Sequence, residues 1–170
     1  MPEVKDIYPN QAYLKVEESA ANTLTFDQLL TGISIHEKVA YLISRIDYWM
    51  SVSAASFAAS NDIVHFGISV SDQITSVGPE QNACVDVNRL QRTDFGAAAS
   101  GFLTHLPWVK NFSELPGGGL LVPPNPLFVF VQGENAPNAF TIEARMFYTV
   151  KSLKTEDFWE LVEIRRMIGT

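Results

Sequence analysis

The residues of this chain that could carry chemistry are three histidines, one cysteine and scattered serines and carboxylates. A two-histidine metal site needs imidazoles at close spacing with a carboxylate beside them. His36, His65 and His105 stand far apart, with no His-x-His pair among them, so their spacing predicts no metal ion. Cys84 has no second cysteine to pair with, which excludes an internal disulfide and a zinc cluster. Beside Val85 it reads as a structural thiol. The segment Gly67-Ile68-Ser69-Val70-Ser71 approaches a nucleophile elbow but lacks the closing glycine, and it sits in an extended run without a sharp turn. Pro116-Gly117-Gly118-Gly119 is followed by Leu120-Leu121-Val122. A phosphate loop would continue Gly-Lys-Ser/Thr into a helix, so these glycines read as a tight corner. Glu17/Glu18 and Glu156/Asp157 are adjacent pairs. The first straddles a strand and the second serves a helix dipole, and neither spans a cleft as an acid/base pair would. The sequence therefore predicts no catalytic residue, no cofactor and no enzyme activity.

The aromatic residues are the next candidates: Tyr41, Tyr48, Trp49, Phe57, Trp108, Phe112, Phe128, Phe130, Phe147, Phe158 and Trp159. Stacking on bases works with interleaved Lys and Arg. Here the formal net charge is -7, and the first thirty residues hold only Lys5 and Lys15. Strong direct nucleic-acid binding is thereby disfavoured. What remains for the aromatics is core, subunit interface, or a platform for sugars. Charged residues are 18% of the chain, against about 25% in a typical domain, which favours covered surface. Trp108, Phe112, Phe158, Trp159, Arg165, Arg166 and Met167 are the candidate subunit interface.

The elements that must position these residues follow from periodicity. Residues 1–12, with Pro2, Pro9 and Asn10, read as an extended N-terminal arm, and 13–170 as a single domain. The start MPEVKDIYPN has no charged and apolar leader pattern, so no signal peptide is expected, and the sequon Asn111-Phe112-Ser113 reads as chance. No apolar run reaches the ~20 residues of a membrane helix. Strands are expected at Tyr13–Glu17, Asn22–Phe26, Asp62–Ser71, Cys84–Asn88, Phe102–Leu106 (stopped by Pro107), Leu120–Val122, Leu127–Val131 and Ala139–Val150. Leu127–Val131 is apolar on both faces, as in a central, doubly covered strand. In Ala139–Val150, Phe140, Ile142, Ala144, Met146 and Tyr148 should point inwards. Glu37–Ser51 fits helical spacing through Val39, Leu42, Ile43, Ile46, Trp49 and Met50. Its β-branched and aromatic content favours a strand, with Leu42, Ser44, Ile46, Tyr48 and Met50 on one face. Thr155–Ile168 reads as a helix, capped by Thr155, acidic in its first turn, and stopped by Gly169. About eight short strands with Gly/Pro corners predict an all-β, antiparallel two-sheet sandwich, a single jelly roll, with a short C-terminal α-helix.

Three stretches carry a resemblance. They are Ile43-Ser44-Arg45-Ile46-Asp47-Tyr48, then Phe112-Ser113-Glu114-Leu115-Pro116-Gly117-Gly118-Gly119-Leu120-Leu121-Val122-Pro123-Pro124-Asn125-Pro126-Leu127, then Ala144-Arg145-Met146-Phe147-Tyr148-Thr149-Val150 leading to Phe158-Trp159-Glu160-Leu161-Val162-Glu163. In their order from about residue 20 onwards, the chain resembles small single-jelly-roll coat proteins of icosahedral viruses. The resemblance implies a non-enzymatic shell subunit that associates with itself, alone or with a second coat protein, assembled in the host cytoplasm and resident in the virion. Many such proteins carry a basic N-terminal arm, which is missing from this sequence. That departure implies either that another component neutralises the genome or that a membrane or inner layer lies between coat and nucleic acid; the second case, with indirect contact with an internal membrane, resembles small coat subunits of membrane-containing viruses. The alternative reading is a carbohydrate- or ligand-binding β-sandwich module.

Overall fold

A computed structural model describes residues 9–29, 38–51, 62–78, 80–92, 108–123 and 126–168, with the helix side chains described as far as Glu163. The strands are β1 (Asn10–Glu17), β2 (Thr25–Leu29), β3 (Val39–Ser51), β4 (Ile63–Ser69), β5 (Cys84–Gln91), β6 (Trp108–Asn111), β7 (Leu120–Val122), β8 (Leu127–Glu134) and β9 (Thr141–Ser152), followed by α1 (Thr155–Ile168). They form two antiparallel sheets. The five-stranded sheet runs β1-β9-β3-β6, with β7 also on β3, and the four-stranded sheet runs β2-β8-β4-β5. The pairing is nested: β1 with β9, β2 with β8, β3 with β6 and β7, and β4 with β5. Lateral pairs of β3 with β9 and β4 with β8 complete the sheets.

Period-two alternation decides which side chains meet between the sheets. Leu14 and Val16 of β1, Val64, Phe66 and Ile68 of β4, Leu127, Val129 and Val131 of β8, and Ile142, Ala144 and Met146 of β9 all enter one core. Tyr148 packs against that core but stays half-exposed. β3 contributes Tyr41 and Ile43, then Ile46, Tyr48 and Met50. The change from odd to even positions marks a β-bulge, seen as a register shift against β9 between Ile43 and Arg45. Ser44 is the extra residue. Its carbonyl accepts from Phe112 N at 2.8 Å, and its hydroxyl donates to the Phe147 carbonyl at 3.2 Å. Leu42, expected on one face with Ile46, Tyr48 and Met50, therefore lies on the opposite one.

The bulge also divides the edge strand. β6 pairs with Arg45–Tyr48 and β7 with Tyr41–Ile43, so they are two parts of one edge interrupted by residues 112–119. That excursion turns at Gly117 and Gly118, whose φ values are 93° and 79°, the left-handed backbone that favours glycine. β6 was not expected: it begins immediately after Pro107, and the expected strand at Phe102–Leu106 lies outside the described residues. β1 starts three residues inside the expected arm. β2 lies C-terminal to its expected place because Asn22 (φ 64°) belongs to the preceding turn.

β8 is interior to its sheet and covered on both faces. Phe130, which points away from the inter-sheet core, is fully buried. It lies opposite Gly67 in register, and a Cβ at Gly67 would stand 2.9 Å from Phe130 Cζ. The ring thus fills the space a side chain would need. At the helix start, Phe158 N donates to Lys154 O, making Lys154 the capping position. The Thr155 hydroxyl instead accepts from Lys38 Nζ at 3.0 Å, tying α1 to the start of β3.

Candidate functional site

Two constellations stand out, one on the outside of the five-stranded sheet and one between the sheets. On the outer face, strand register sets Tyr13, Arg145 and Asp47 in one row with Val109. Phe147 and Arg45 share the next row with Gln11 and Asn111, and Glu143 and Trp49 share a third with Lys15. The Arg145 guanidinium lies over the Trp49 ring at 5.3 Å, and that of Arg45 over Phe147 at 5.6 Å. Both geometries are those of cation–π contacts. Arg45 also makes a bidentate pair with the buried Asp47 carboxylate, at 2.5 and 2.9 Å. Tyr13 is 57% exposed and Val109 43%. The Tyr13 phenol is held above its usual range by partial desolvation and by its hydrogen bond to Glu143. The result is a surface rich in aromatics and arginine, the residue types enriched at protein contacts. Sequence reasoning missed it, although its signal is legible as two alternating triplets, Arg45-x-Asp47-x-Trp49 and Glu143-x-Arg145-x-Phe147.

The second constellation closes one flank of the sandwich. Asp86 and Asn88 point inwards from β5, opposite Ile68 and Phe66 in register. Tyr48 of the facing sheet donates to Asp86 Oδ2 at 2.9 Å, and Asn88 Nδ2 donates to the same oxygen at 2.7 Å. Lys110 of β6 brings its Nζ to 3.8 Å from Asp86 Oδ1. The aromatic rings of Tyr48 and Trp108 both meet Phe66 edge-on, at 5.4 and 6.0 Å. Burial first, and the Asp86 charge second, push the Tyr48 phenol well above its usual range, so it stays protonated as a donor. Inward polar groups on the edge strands β5 and β6 also discourage pairing with a foreign strand.

Glu18 has structural work. Glu18 is buried and accepts from Gly133 N at 2.6 Å, Phe140 N at 2.7 Å and Thr23 N at 3.2 Å. Beside it, the Asn22 amide both donates to Ala136 O (2.9 Å) and accepts from Ala136 N (2.8 Å). Together they clasp the turn after β1 to the β8–β9 connection. His65 lies 3.6 Å from Glu134, while His36 and His105 lie outside the described residues. Among the described residues no group of three or more His, Cys, Asp and Glu side chains could hold a metal ion, and no helix is long and apolar enough to cross a membrane.

Of the seven residues expected at an interface, the side chains of four are described, and they differ in exposure. Trp108 and Phe112 are half-buried and pack against the core. Phe158 is 1% exposed and so is unavailable to a partner, which corrects its assignment: it is the residue that seats α1 on its own domain. Trp159, 5.5 Å from it ring to ring, is 53% exposed. The side chains of Arg165, Arg166 and Met167 lie outside those described. No protein-family model matches the chain, and no curated protein matches it.

Proposed function

We propose that this protein is a non-enzymatic coat subunit of an icosahedral virus, assembling with copies of itself or with a second coat protein. The nested strand pairing carries this reading. The outermost strands pair with each other, and so on inwards to β4 and β5, which is the pairing a single jelly roll would have once β6 and β7 are counted as one position. That architecture also serves unrelated functions, so the reading leans equally on the resemblance of the sequence to viral coat proteins. The net charge of -7 disfavours genome contact as the driver of assembly. The outer face of the five-stranded sheet, where Tyr13 is exposed, and Trp159, exposed on α1, supply surface for neighbouring subunits.

Sedimentation at high protein concentration and two salt concentrations, with and without added RNA or DNA, tests this. Multimers that persist in high salt without nucleic acid are expected, because apolar burial is weakly screened while phosphate contacts are lost steeply. A protein that stays monomeric, or assembles only on nucleic acid, overturns the proposal. The exposed Tyr13, beside the Arg145–Trp49 stack, favours a second reading as a carbohydrate-binding module. Sugar-dependent retention of a monomer on a glycan matrix would support that reading over the first.

A further inference from the structure

The flank between β5 and β6 gathers an amine and an amide on the two oxygens of one carboxylate, with the amide carbonyl left over. Asn88 is 3% exposed, and its Oδ1 is buried with no hydrogen-bond partner. A buried carbonyl without a donor is costly and asks for an explanation. Its Nδ2 is held on Asp86 Oδ2 at 2.7 Å, while Lys110 Nζ stands 3.8 Å from the other oxygen, Oδ1, of the same carboxylate. The Asp86 side chain is 9% exposed. Gly67 helps to place it, because a Cβ there would lie 1.9 Å from the Asp86 carbonyl oxygen and force β5 away from β4.

We propose that Lys110 and Asn88, gathered on the two oxygens of the buried Asp86 carboxylate, join in an intramolecular amide bond across the two sheets. Asp86 accepts a proton from the Lys110 ammonium, and the freed lone pair on Nζ attacks Asn88 Cγ. The Nζ–Cγ bond forms and the Cγ–Nδ2 bond breaks. Asp86 returns protons to the departing nitrogen, which leaves as ammonium. An ammonium and a primary amide thus become a secondary amide and an ammonium, with no oxidant or co-reactant, and the carboxylate ends as it began. Fixing both partners on one carboxylate replaces a bimolecular encounter by a local rotation, and the carboxylate is placed for proton transfer. Lys110 keeps a third of its side chain exposed, which leaves it freedom to swing to Cγ. Tyr48, donating to Oδ2, orients the carboxylate. The product would staple the edge of one sheet to the edge of the other. This inference does not depend on the coat-protein reading.

Intact mass of the denatured full chain tests it, together with tryptic mapping. The expected wild-type mass is one ammonia below the sequence mass, with a branched peptide containing Asn88 and Lys110 and no cleavage after Lys110. Lys110→Arg keeps the positive charge but cannot form this bond, and it should show the full mass while retaining a cooperative melt. Asp86→Asn, which removes the proton relay, should show the full mass as well. A wild-type chain at full mass with normal cleavage after Lys110 overturns the proposal. So does a mass loss that persists in Lys110→Arg, since it would then come from another site.

Discussion

Single residues in this protein are constrained chiefly by how closely the strands approach. At Gly67 an added Cβ would fall 1.9 Å from the Asp86 carbonyl oxygen and 2.9 Å from Phe130 Cζ. The first contact is with backbone and cannot be relieved by a rotamer. Gly67→Ala is expected to cost about 3 kcal/mol, at the upper end of what overpacking usually costs, measured as a lower urea midpoint with an unchanged m-value. Gly117→Ala meets no neighbour and suffers only from its φ of 93°, so a cost of about 1 kcal/mol is expected. Equal losses at the two sites would contradict this account. Cys84 is half-buried, and its thiol is pushed up to about 11, first by burial and then by the nearby Glu80 carboxylate. At pH 8 roughly one thiol in a thousand is then ionised, and the thiolate is the reactive form. Native protein should therefore react with a thiol reagent orders of magnitude more slowly than protein in urea. Comparable rates in both conditions would show an open, activated cysteine.

At the scale of elements, β9 links β1 and β3 and sends Met146 into the core with no exposure, while Thr141 lies at its end and stays half-exposed. Met146→Asp buries a carboxylate in the core beside Ile46, its partner on β3, with no cation supplied, and should cost several kcal/mol, on the order of a buried unpaired charge. Thr141→Asp should cost about 1 kcal/mol or less. Chemical denaturation of the two variants separates them, and matching losses would mean that both faces of β9 are covered at its start. The same reasoning explains why Glu37–Ser51 looked partly helical. Its inward residues are Tyr41, Ile43, Ile46, Tyr48 and Met50, and the three-residue step across Ser44 breaks a strand's period and imitates a helix's.

For the whole molecule, the outer face of the five-stranded sheet is where association would be felt. Arg145 is exposed, stacked on Trp49 and flanked by Tyr13 and Glu143. Arg145→Glu reverses the charge and removes the stacked cation while leaving the core untouched. If this face joins subunits, the variant should shift sedimentation towards monomer at least tenfold in concentration, with a melting temperature close to wild type. Unchanged assembly would exclude this face and direct attention to Trp159 and the excursion at residues 112–119.

The all-β character, the terminal helix, the double cover of β8 and the inward face of β9 were legible in the sequence, because burial writes runs of apolar residues and, for a strand covered on one side, a period of two directly into residue order. The helix, too, announced itself through its acidic first turn and its spacing of apolar residues. Other features depended on contacts between residues far apart in the chain. Asn88 pairs with Phe66, Lys110 approaches Asp86 from the opposite sheet, and Glu18 receives its donors from Gly133 and Phe140. Glu18 read only as half of an adjacent pair straddling a strand, and nothing marked out Lys110, because local pattern carries no record of which strand arrives alongside. The bulge at Ser44 reversed the facing of Leu42 for the same reason: one extra residue is visible only against a partner strand's register. Sequence alone thus determined most of the segments that extend and the apolar face of β9, while β6 and the facing of Leu42 waited on partner strands. Tertiary structure decided which polar groups are buried together, since only the nested pairing of distant strands brings them within hydrogen-bonding reach.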